Sequence, residues 1–317
     1  MELLAENPAP RFEPTEHVIV PARGLVSPIM VRTYENAPWG EAVPEGQDPW
    51  TIVMCNGAFK SRGTVEPFIE GFLAAAQENG VAVRFITYDE PKKARDYTAA
   101  ERMRRFNEVM IYAAGEVDIE RGELAVLGHS IGSTAILAAG LTLQEDERVG
   151  RRLKGVTLVT PLGIAPESQP RNTVQLAGRA AVEAATSKGA FRPSDLKVLG
   201  SVVRSMGGRF LFAPRESWRM VSTAIFWTDN RERLQQFCKE AVFDVSAVLA
   251  ENDAMVLAGP TKDGLLAAGV PEENISILRG ATHPSTITDR LNGARIFEHM
   301  FARATAQRRY IPRHAAD

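Results

Sequence analysis

Residues 123–140 read ELAVLGHSIGSTAILAAG, in which an apolar run, a turn with two glycines and an Ala/Leu-rich segment follow one another. Leu124–Leu127 is short and continuously apolar, which is typical of a strand buried on both faces. Ser133–Leu143 has the composition of a helix. A buried strand joined directly to a helix is the unit from which parallel sheets are built, so this stretch predicts an α/β fold.

The turn inside this stretch has the pattern GxSxG, with Ser130 between Gly128 and Gly132. A sharp strand-to-helix turn strains the serine backbone, and side chains two residues to either side would collide with the neighbouring elements. Such a turn holds Ser130 Oγ at the carboxyl end of the sheet, where ligands of open α/β sheets bind. GxSxG arises by chance in about one chain of this length in ten. The strand and helix that flank it therefore make Ser130 a candidate nucleophile, and a tight turn with packing glycines is the alternative.

The rest of the chain repeats the alternation of apolar runs and helical patterns. The predicted strands are His17–Val20, Ile29–Tyr34, Thr51–Cys55, Val81–Tyr88, Leu124–Leu127, Gly155–Val159, Val242–Ala250 and Ile275–Leu278. The predicted helices are Val65–Asn79, Ala99–Ala114, Ser133–Leu143 and Asp289–Ala304. Strands that alternate with helices indicate a mainly parallel sheet with helices on both faces. The first two strands are joined too tightly for a crossover helix and should form an antiparallel edge.

One long segment, residues 161–228, interrupts this alternation with several helical patterns and no buried strand. Because the sheet resumes afterwards, we expect a helical cap, or lid, inserted into one core domain of residues 17–160 and 229–305. Residues 1–16 and 306–317 are predicted terminal extensions. From Ile164 to Thr228 there are nine Lys or Arg and four Asp or Glu, a net charge of +5. This cap could attract an anionic acyl donor, although solvated faces of cap helices explain the same charges.

A serine nucleophile needs a base that takes its proton and a carboxylate that orients the base. Of the five histidines, His283 directly follows the last predicted strand, in a loop at the carboxyl end of the sheet. The other four lie in the first strand, beside the serine, in the closing helix and in the tail (His17, His129, His299 and His314). His283 is therefore the predicted base.

The acid is expected in the loop after the preceding strand, where Glu251 and Asp253 compete. Asp253 is preferred because it lies deeper in the loop and can reach the next one, and Glu251 is the alternative. A solvated turn explains either carboxylate equally well in isolation. The chain order Ser130, Asp253, His283 differs from the order in the chymotrypsin and subtilisin folds.

The loop after Thr51–Cys55 is the expected source of a second oxyanion donor. Its sequence is Asn56-Gly57-Ala58-Phe59, and the predicted donors are the N–H groups of Ala58 and Ile131. Predicted substrate-pocket residues come from this loop, from the turn and from the cap (Phe59, His129, Trp218 and Phe226).

From about residue 17 to residue 305, these segments resemble the α/β-hydrolase superfamily. The resemblance implies an eight-stranded, mostly parallel sheet with a helical cap. It departs from the family at Asn56-Gly57, where relatives have His-Gly, and at residues 88–92, YDEPK, where many have Asp-x-x-Gly-x-Gly. The chain therefore resembles a divergent member.

The sequence predicts a serine hydrolase that cleaves a carboxylic ester of a small acyl substrate through a covalent acyl-enzyme, with no metal and no cofactor. A thioesterase, a carbon–carbon bond hydrolase and a catalytically silent binding protein on the same scaffold are the alternatives. The net charge of −2 gives no reason to expect nucleic acid as a partner. Neither a signal peptide nor a membrane span is evident, so a cytoplasmic protein is expected, and the oligomeric state stays open. The two cysteines, Cys55 and Cys238, are predicted to be free, buried thiols.

Overall fold

The apolar runs of the chain form one mixed β-sheet. The computed structural model describes residues 12–20, 28–36, 49–57, 62–89, 99–116, 122–168 and 229–308. The strands are β1 (Thr15–Ile19), β2 (Ile29–Glu35), β3 (Trp50–Cys55), β4 (Val83–Tyr88), β5 (Glu123–His129), β6 (Leu153–Val159), β7 (Asp244–Ala250) and β8 (Ile275–Leu278). They lie in the order β1-β2-β4-β3-β5-β6-β7-β8. β1 and β2 are antiparallel to their neighbours, and the pairs from β4 to β8 are parallel.

Helices cover both faces of this sheet in the described part of the chain. They are α1 (Arg62–Glu78), α2 (Ala99–Glu116), α3 (Ile131–Glu145), the short α4 (Glu147–Gly150), α5 (Arg231–Glu240), α6 (Ala258–Ala267) and α7 (Arg290–Arg308). Alternate residues of β3 enter opposite cores, because successive side chains of a strand point to opposite faces. Ile52 lies in the core with the aromatic residues of α1 and α7, whereas Val53 lies in the core with α2, α3 and α5.

The predicted α/β class, the parallel sheet and the antiparallel edge are all confirmed. Two boundary differences have a visible cause. β1 begins at Thr15, within the predicted extension, because it pairs with β2 from that residue onward. β7 begins at Asp244 and excludes Val242, whose side chain is exposed.

Helices α4, α5 and α6 were not predicted. The α6 sequence, AGPTKDGLLA, contains two glycines and a proline, so its local helix propensity is low. Burial of Thr261 and Leu265 anchors this helix on the core instead. Tertiary packing therefore overrides local preference there.

The first residues of the predicted cap segment and the residues that follow its end lie beside each other at α3. Of residues 161–228, those from 169 onward lie outside the described part, as do residues 1–11 and 309–317 of the predicted extensions. The buried Asn230 side chain donates to the Leu162 carbonyl at 2.8 Å and to Thr134 Oγ1 at 2.9 Å, and its N–H donates to the Gly163 carbonyl. These bonds join the start of the predicted cap segment to Asn230, which follows its end. Among the described helices, none has the length and apolarity needed to cross a bilayer.

Both cysteines are thiols, as predicted, but only Cys55 is buried, so the predicted burial is wrong for Cys238. Cys55 is buried at the end of β3, with Sγ 3.0 Å from Tyr88 Oη. Cys238 is only partly buried in α5, and burial raises the pKa of its thiol to about 11.

This raised pKa predicts slow alkylation of Cys238. With a pKa of about 11, about one thiol in a thousand is ionised at pH 8. We expect the rate of iodoacetamide labelling in a Cys55→Ser variant to rise about tenfold per pH unit from pH 7.5 to 9.5. Mass spectrometry of the labelled peptide measures this rate, and a plateau below pH 9 would contradict the raised pKa.

Candidate active site

Ser130 occupies a strained turn between β5 and α3. Its φ of 56° and ψ of −122° lie in a region that L-residues rarely adopt. The Ser130 N–H donates to the Val159 carbonyl of β6 at 2.9 Å, which ties the turn to the neighbouring strand. Strain of this kind persists only where surrounding contacts impose it, and it marks functional sites.

Both glycines of the GxSxG pattern lie where a side chain has no room. A Cβ on Gly128 would lie 2.3 Å from Ile136 Cδ1 and 3.1 Å from Ser133 Cα. A Cβ on Gly132 would lie 2.1 Å from the Cys55 carbonyl oxygen. The first glycine lets the helix fold back on its strand, and the second lets α3 rest on the end of β3.

His283 lies in the loop after β8, with its ring directed at the serine. Nε2 is 3.0 Å from Ser130 Oγ, and Nδ1 is 2.7 Å from Asp253 Oδ2. Carboxylate oxygens accept hydrogen bonds, so Nδ1 is the donor to Asp253 and Nε2 can accept from the serine hydroxyl. This is the tautomer that a general base requires.

Asp253 is held from two sides. Its side chain is fully buried, and Oδ1 accepts the N–H groups of Met255 at 2.8 Å and Val256 at 2.7 Å. Oδ2 is thereby left facing His283. The backbone of the β7–α6 loop thus fixes which carboxylate oxygen meets the imidazole.

The alternative acid, Glu251, has a different contact. This residue is exposed, and its Oε2 accepts the N–H of Gly280 at 2.8 Å. Gly280 belongs to the loop that carries His283. Glu251 therefore braces that loop and does not face the imidazole.

His129, predicted as a pocket residue, is buried beneath the site. Only 1% of the residue is exposed, and Nε2 lies 3.1 Å from the His283 carbonyl oxygen. Because a carbonyl oxygen only accepts, Nε2 is the donor. Its ring also lies against Gly57, where a Cβ would be 2.5 Å from Nδ1. The sequence predicted that His129 lines a substrate pocket. In the structure it is the last residue of β5, and its ring lies between the loop that carries His283 and the loop that carries Gly57.

The predicted oxyanion loop is described up to Gly57. A Cβ on Gly57 would lie 3.3 Å from Ser130 Cβ, so the loop passes directly beside the serine. Ile131 is the first residue of α3, where N–H groups have no partner within the helix. The second predicted oxyanion donor, Ala58, lies outside the described residues. So do the predicted pocket residues Phe59, Trp218 and Phe226.

Sequence reasoning missed a group of buried charges behind this loop. Glu101, Arg102 and Arg105 of α2 are all at most 4% exposed. Charged residues at helix spacing normally indicate a solvated face, so their pattern did not predict that they are buried.

Several solved structures have the same fold at low sequence identity. A peroxisomal α/β-hydrolase from Saccharomyces cerevisiae has a TM-score of 0.65 and 11% identity, over 97% of this chain and 92% of that one. For carboxyl esterase 2 from Tuber melanosporum the values are 0.55 and 16%, over 96% and 88%. For a bromoperoxidase from Bacillus anthracis they are 0.53 and 15%, over 88% and 97%. No protein-family model and no curated protein matches the sequence.

The chain therefore has the α/β-hydrolase fold, in agreement with the resemblance seen in the sequence. Proteins described as a hydrolase, an esterase and a bromoperoxidase share this fold. The fold alone does not define the reaction, which has to be argued from the side chains of the site.

Proposed function

We propose that this protein is a serine hydrolase that cleaves a carboxylic ester, or a related acyl bond, with Ser130, His283 and Asp253 as its triad. The single observation that carries the proposal is the continuous chain of hydrogen bonds among them. The serine hydroxyl lies 3.0 Å from the imidazole, and the imidazole lies 2.7 Å from a carboxylate that is already oriented by two backbone N–H groups. A purely structural role for His283 would not explain why Ser130, beside its Nε2, is held in a strained backbone conformation.

Acylation follows from this geometry. Ser130 Oγ attacks the acyl carbonyl carbon as its proton passes to His283 Nε2, and the carbonyl oxygen becomes an oxyanion. The N–H of Ile131, at the start of α3, and the N–H of Ala58 are the proposed donors to that oxyanion. The tetrahedral intermediate collapses when the bond to the leaving alcohol breaks, and His283 returns the proton to that alcohol. Asp253 stabilises the imidazolium that exists between these transfers.

Deacylation repeats these steps with water as the nucleophile in place of the serine hydroxyl. His283 takes a proton from the water, whose oxygen attacks the acyl carbon, and the bond to Ser130 Oγ breaks as the proton is delivered to it. The products are a carboxylic acid and the free enzyme. The same steps apply to a thioester.

The decisive experiment is covalent labelling with a fluorophosphonate, which reacts with an activated serine. We expect one label per chain on Ser130, no label on Ser130→Ala, and full labelling of Ser133→Ala as a control. Ser133 is the third residue of α3, and its Oγ donates to the Gly128 carbonyl rather than to a base. A folded wild-type protein that stays unlabelled, or that is labelled elsewhere, would overturn the proposal.

Turnover of matched ester, thioester and diketone substrates then identifies the bond. Hydrolysis of the ester with loss in Ser130→Ala supports the proposed class. A preference for the thioester or the diketone would move the assignment to a thioesterase or a carbon–carbon bond hydrolase on the same triad.

A further inference from the structure

The side chain that precedes the candidate nucleophile reaches the main chain of the candidate base. His129, the last residue of β5, is 1% exposed, and its Nε2 donates to the His283 carbonyl oxygen at 3.1 Å. The centroids of the two imidazole rings lie 5.0 Å apart. The same carbonyl accepts the hydroxyl of Thr286 at 2.8 Å. The backbone of His283 is therefore held by one donor from its own loop and by a second from the strand that leads to the serine.

The ring of His129 has little room to move. A Cβ on Gly57 would lie 2.5 Å from its Nδ1 and 3.1 Å from its Cε1, so the main chain after β3 lies directly against the ring. Its Nε2 meets the His283 carbonyl. Between buried groups a hydrogen bond acts at a low effective dielectric constant, where it is stronger than in water. The position of the His129 ring therefore constrains the position of the loop that carries His283.

This loop is tied to two different strands, each of which leads to another member of the triad. The N–H of Asn252, in the loop after β7, donates to the Ala281 carbonyl at 2.9 Å. That bond places the base relative to the acid, which is the next residue after Asn252. His129 belongs to β5 and is directly followed by the serine. The bond from His129 therefore places the base relative to the nucleophile.

We propose that His129 is a positioning residue of the active site, which sets the distance between Ser130 Oγ and His283 Nε2 by holding the His283 carbonyl. The inference rests on the proposed function, because this distance matters only if the serine hydroxyl passes its proton to the imidazole. Such a transfer needs the two atoms within hydrogen-bond reach, and a displacement of about 1 Å can cost about 100-fold in rate. The bond between His283 and Asp253 does not depend on His129.

The test compares His129→Leu, which removes the donor, with His129→Gln, whose side-chain NH₂ group can donate in place of Nε2. Removal of the donor leaves no orphaned acceptor, because the Thr286 hydroxyl still donates to the same carbonyl. His299→Leu is the matched control. It replaces another partly buried imidazole, which lies on α7 with its Nδ1 2.7 Å from Ser276 Oγ on β8.

Three measurements are made on each variant. Fluorophosphonate titration to completion counts the active sites, and kcat for an ester is expressed per titrated site. The rate of fluorophosphonate labelling reports how strongly the serine is activated. Proton NMR records the low-field resonance of the His283 Nδ1–H, which is a signature of its short bond to the carboxylate of Asp253.

We expect His129→Leu to lower kcat per site and the labelling rate about 10- to 100-fold, while the low-field resonance persists. His129→Gln should recover part of this loss, and His299→Leu should match wild type per site. A purely structural role for His129 lowers the number of titratable sites but leaves kcat per site intact, and that result would refute the inference. Loss of the resonance together with kcat would also refute it, because the bond to the acid would then depend on His129.

The two proposals fail in different ways. An unlabelled wild-type protein removes the hydrolase proposal and this inference with it. A labelled wild type with an unaffected His129→Leu removes the inference alone. If the Leu variant does not fold, the tautomer of His129 in the wild-type protein decides the question. Nitrogen NMR should find a proton on its Nε2, and an Nε2 without a proton overturns the inference.

Discussion

Asp253→Asn is expected to lower kcat/KM for an ester about 10⁴-fold, with little change in the free energy of unfolding. The reason lies in the two backbone N–H groups that Met255 and Val256 donate to Oδ1. They require an acceptor, so the amide oxygen of the variant takes that place and its NH₂ group faces His283 Nδ1. Nδ1 must then accept, the ring proton moves to Nε2, and Nε2 can no longer accept from Ser130. The positions of the three side chains are therefore kept, but the His283 ring carries its proton on the wrong nitrogen.

Glu251→Gln is the control for this loss. The amide oxygen of the variant can still accept the N–H of Gly280, so turnover should stay within about twofold of wild type. Steady-state kinetics on both variants, with circular dichroism to verify folding, separate the two carboxylates. A large loss in Glu251→Gln together with an active Asp253→Asn would transfer the role of acid to Glu251.

Gly132→Ala is expected to destabilise the protein by about 3 kcal/mol and to abolish labelling of Ser130 in the fraction that folds. The new Cβ would lie 2.1 Å from the Cys55 carbonyl oxygen and 2.8 Å from that of Asn56. Both neighbours are backbone atoms of β3 and its loop, and neither can rotate away as a side chain would. Relief requires α3 to separate from β3, which moves the serine and the oxyanion loop apart. The urea midpoint and the rate of fluorophosphonate labelling report these two effects.

Gly259→Ala is the matched control for this substitution. Gly259 is also the second residue of its helix, α6, but a Cβ there meets nothing within 4 Å. We expect stability to be unchanged or to rise by up to about 1 kcal/mol, because alanine favours a helix over glycine. Equal effects of the two substitutions would mean that helix propensity, and not the contact with β3, explains the glycine at position 132.

The hydrophobic pattern alone was enough to predict the sheet. All the predicted strands are present within a few residues. For the central strands the reason is that burial of both faces leaves continuous apolar runs such as Trp50–Cys55. Helix α6 was missed because its residues favour no helix by themselves. The helix is stabilised by burial of Leu265 in the core, and that contact involves residues far away in the chain.

The candidate site also has features that the sequence predicts and features that depend on the fold. The order of Ser130, Asp253 and His283 along the chain, and their places after three strands, can be predicted because parallel strands bring their carboxyl ends to one edge. The sequence favoured Asp253 over Glu251 only by its place deeper in a loop that both share. In the structure, two N–H groups donate to one oxygen of Asp253 and leave the other facing His283, whereas Glu251 accepts a third N–H.

Local patterns in the chain were thus sufficient to predict the α/β fold, a strained turn at Ser130 and a histidine after the last strand. Three features became visible only in the folded chain: Asp253 is the carboxylate that meets His283, His129 is buried between two loops, and Arg102 of α2 reaches the Asn56 carbonyl. The difference lies in the distance along the chain over which each kind of interaction acts. Apolar periodicity and glycine turns are properties of neighbouring residues, whereas the partner of a buried polar group is set by elements that lie far apart in the chain and meet only when the sheet has formed.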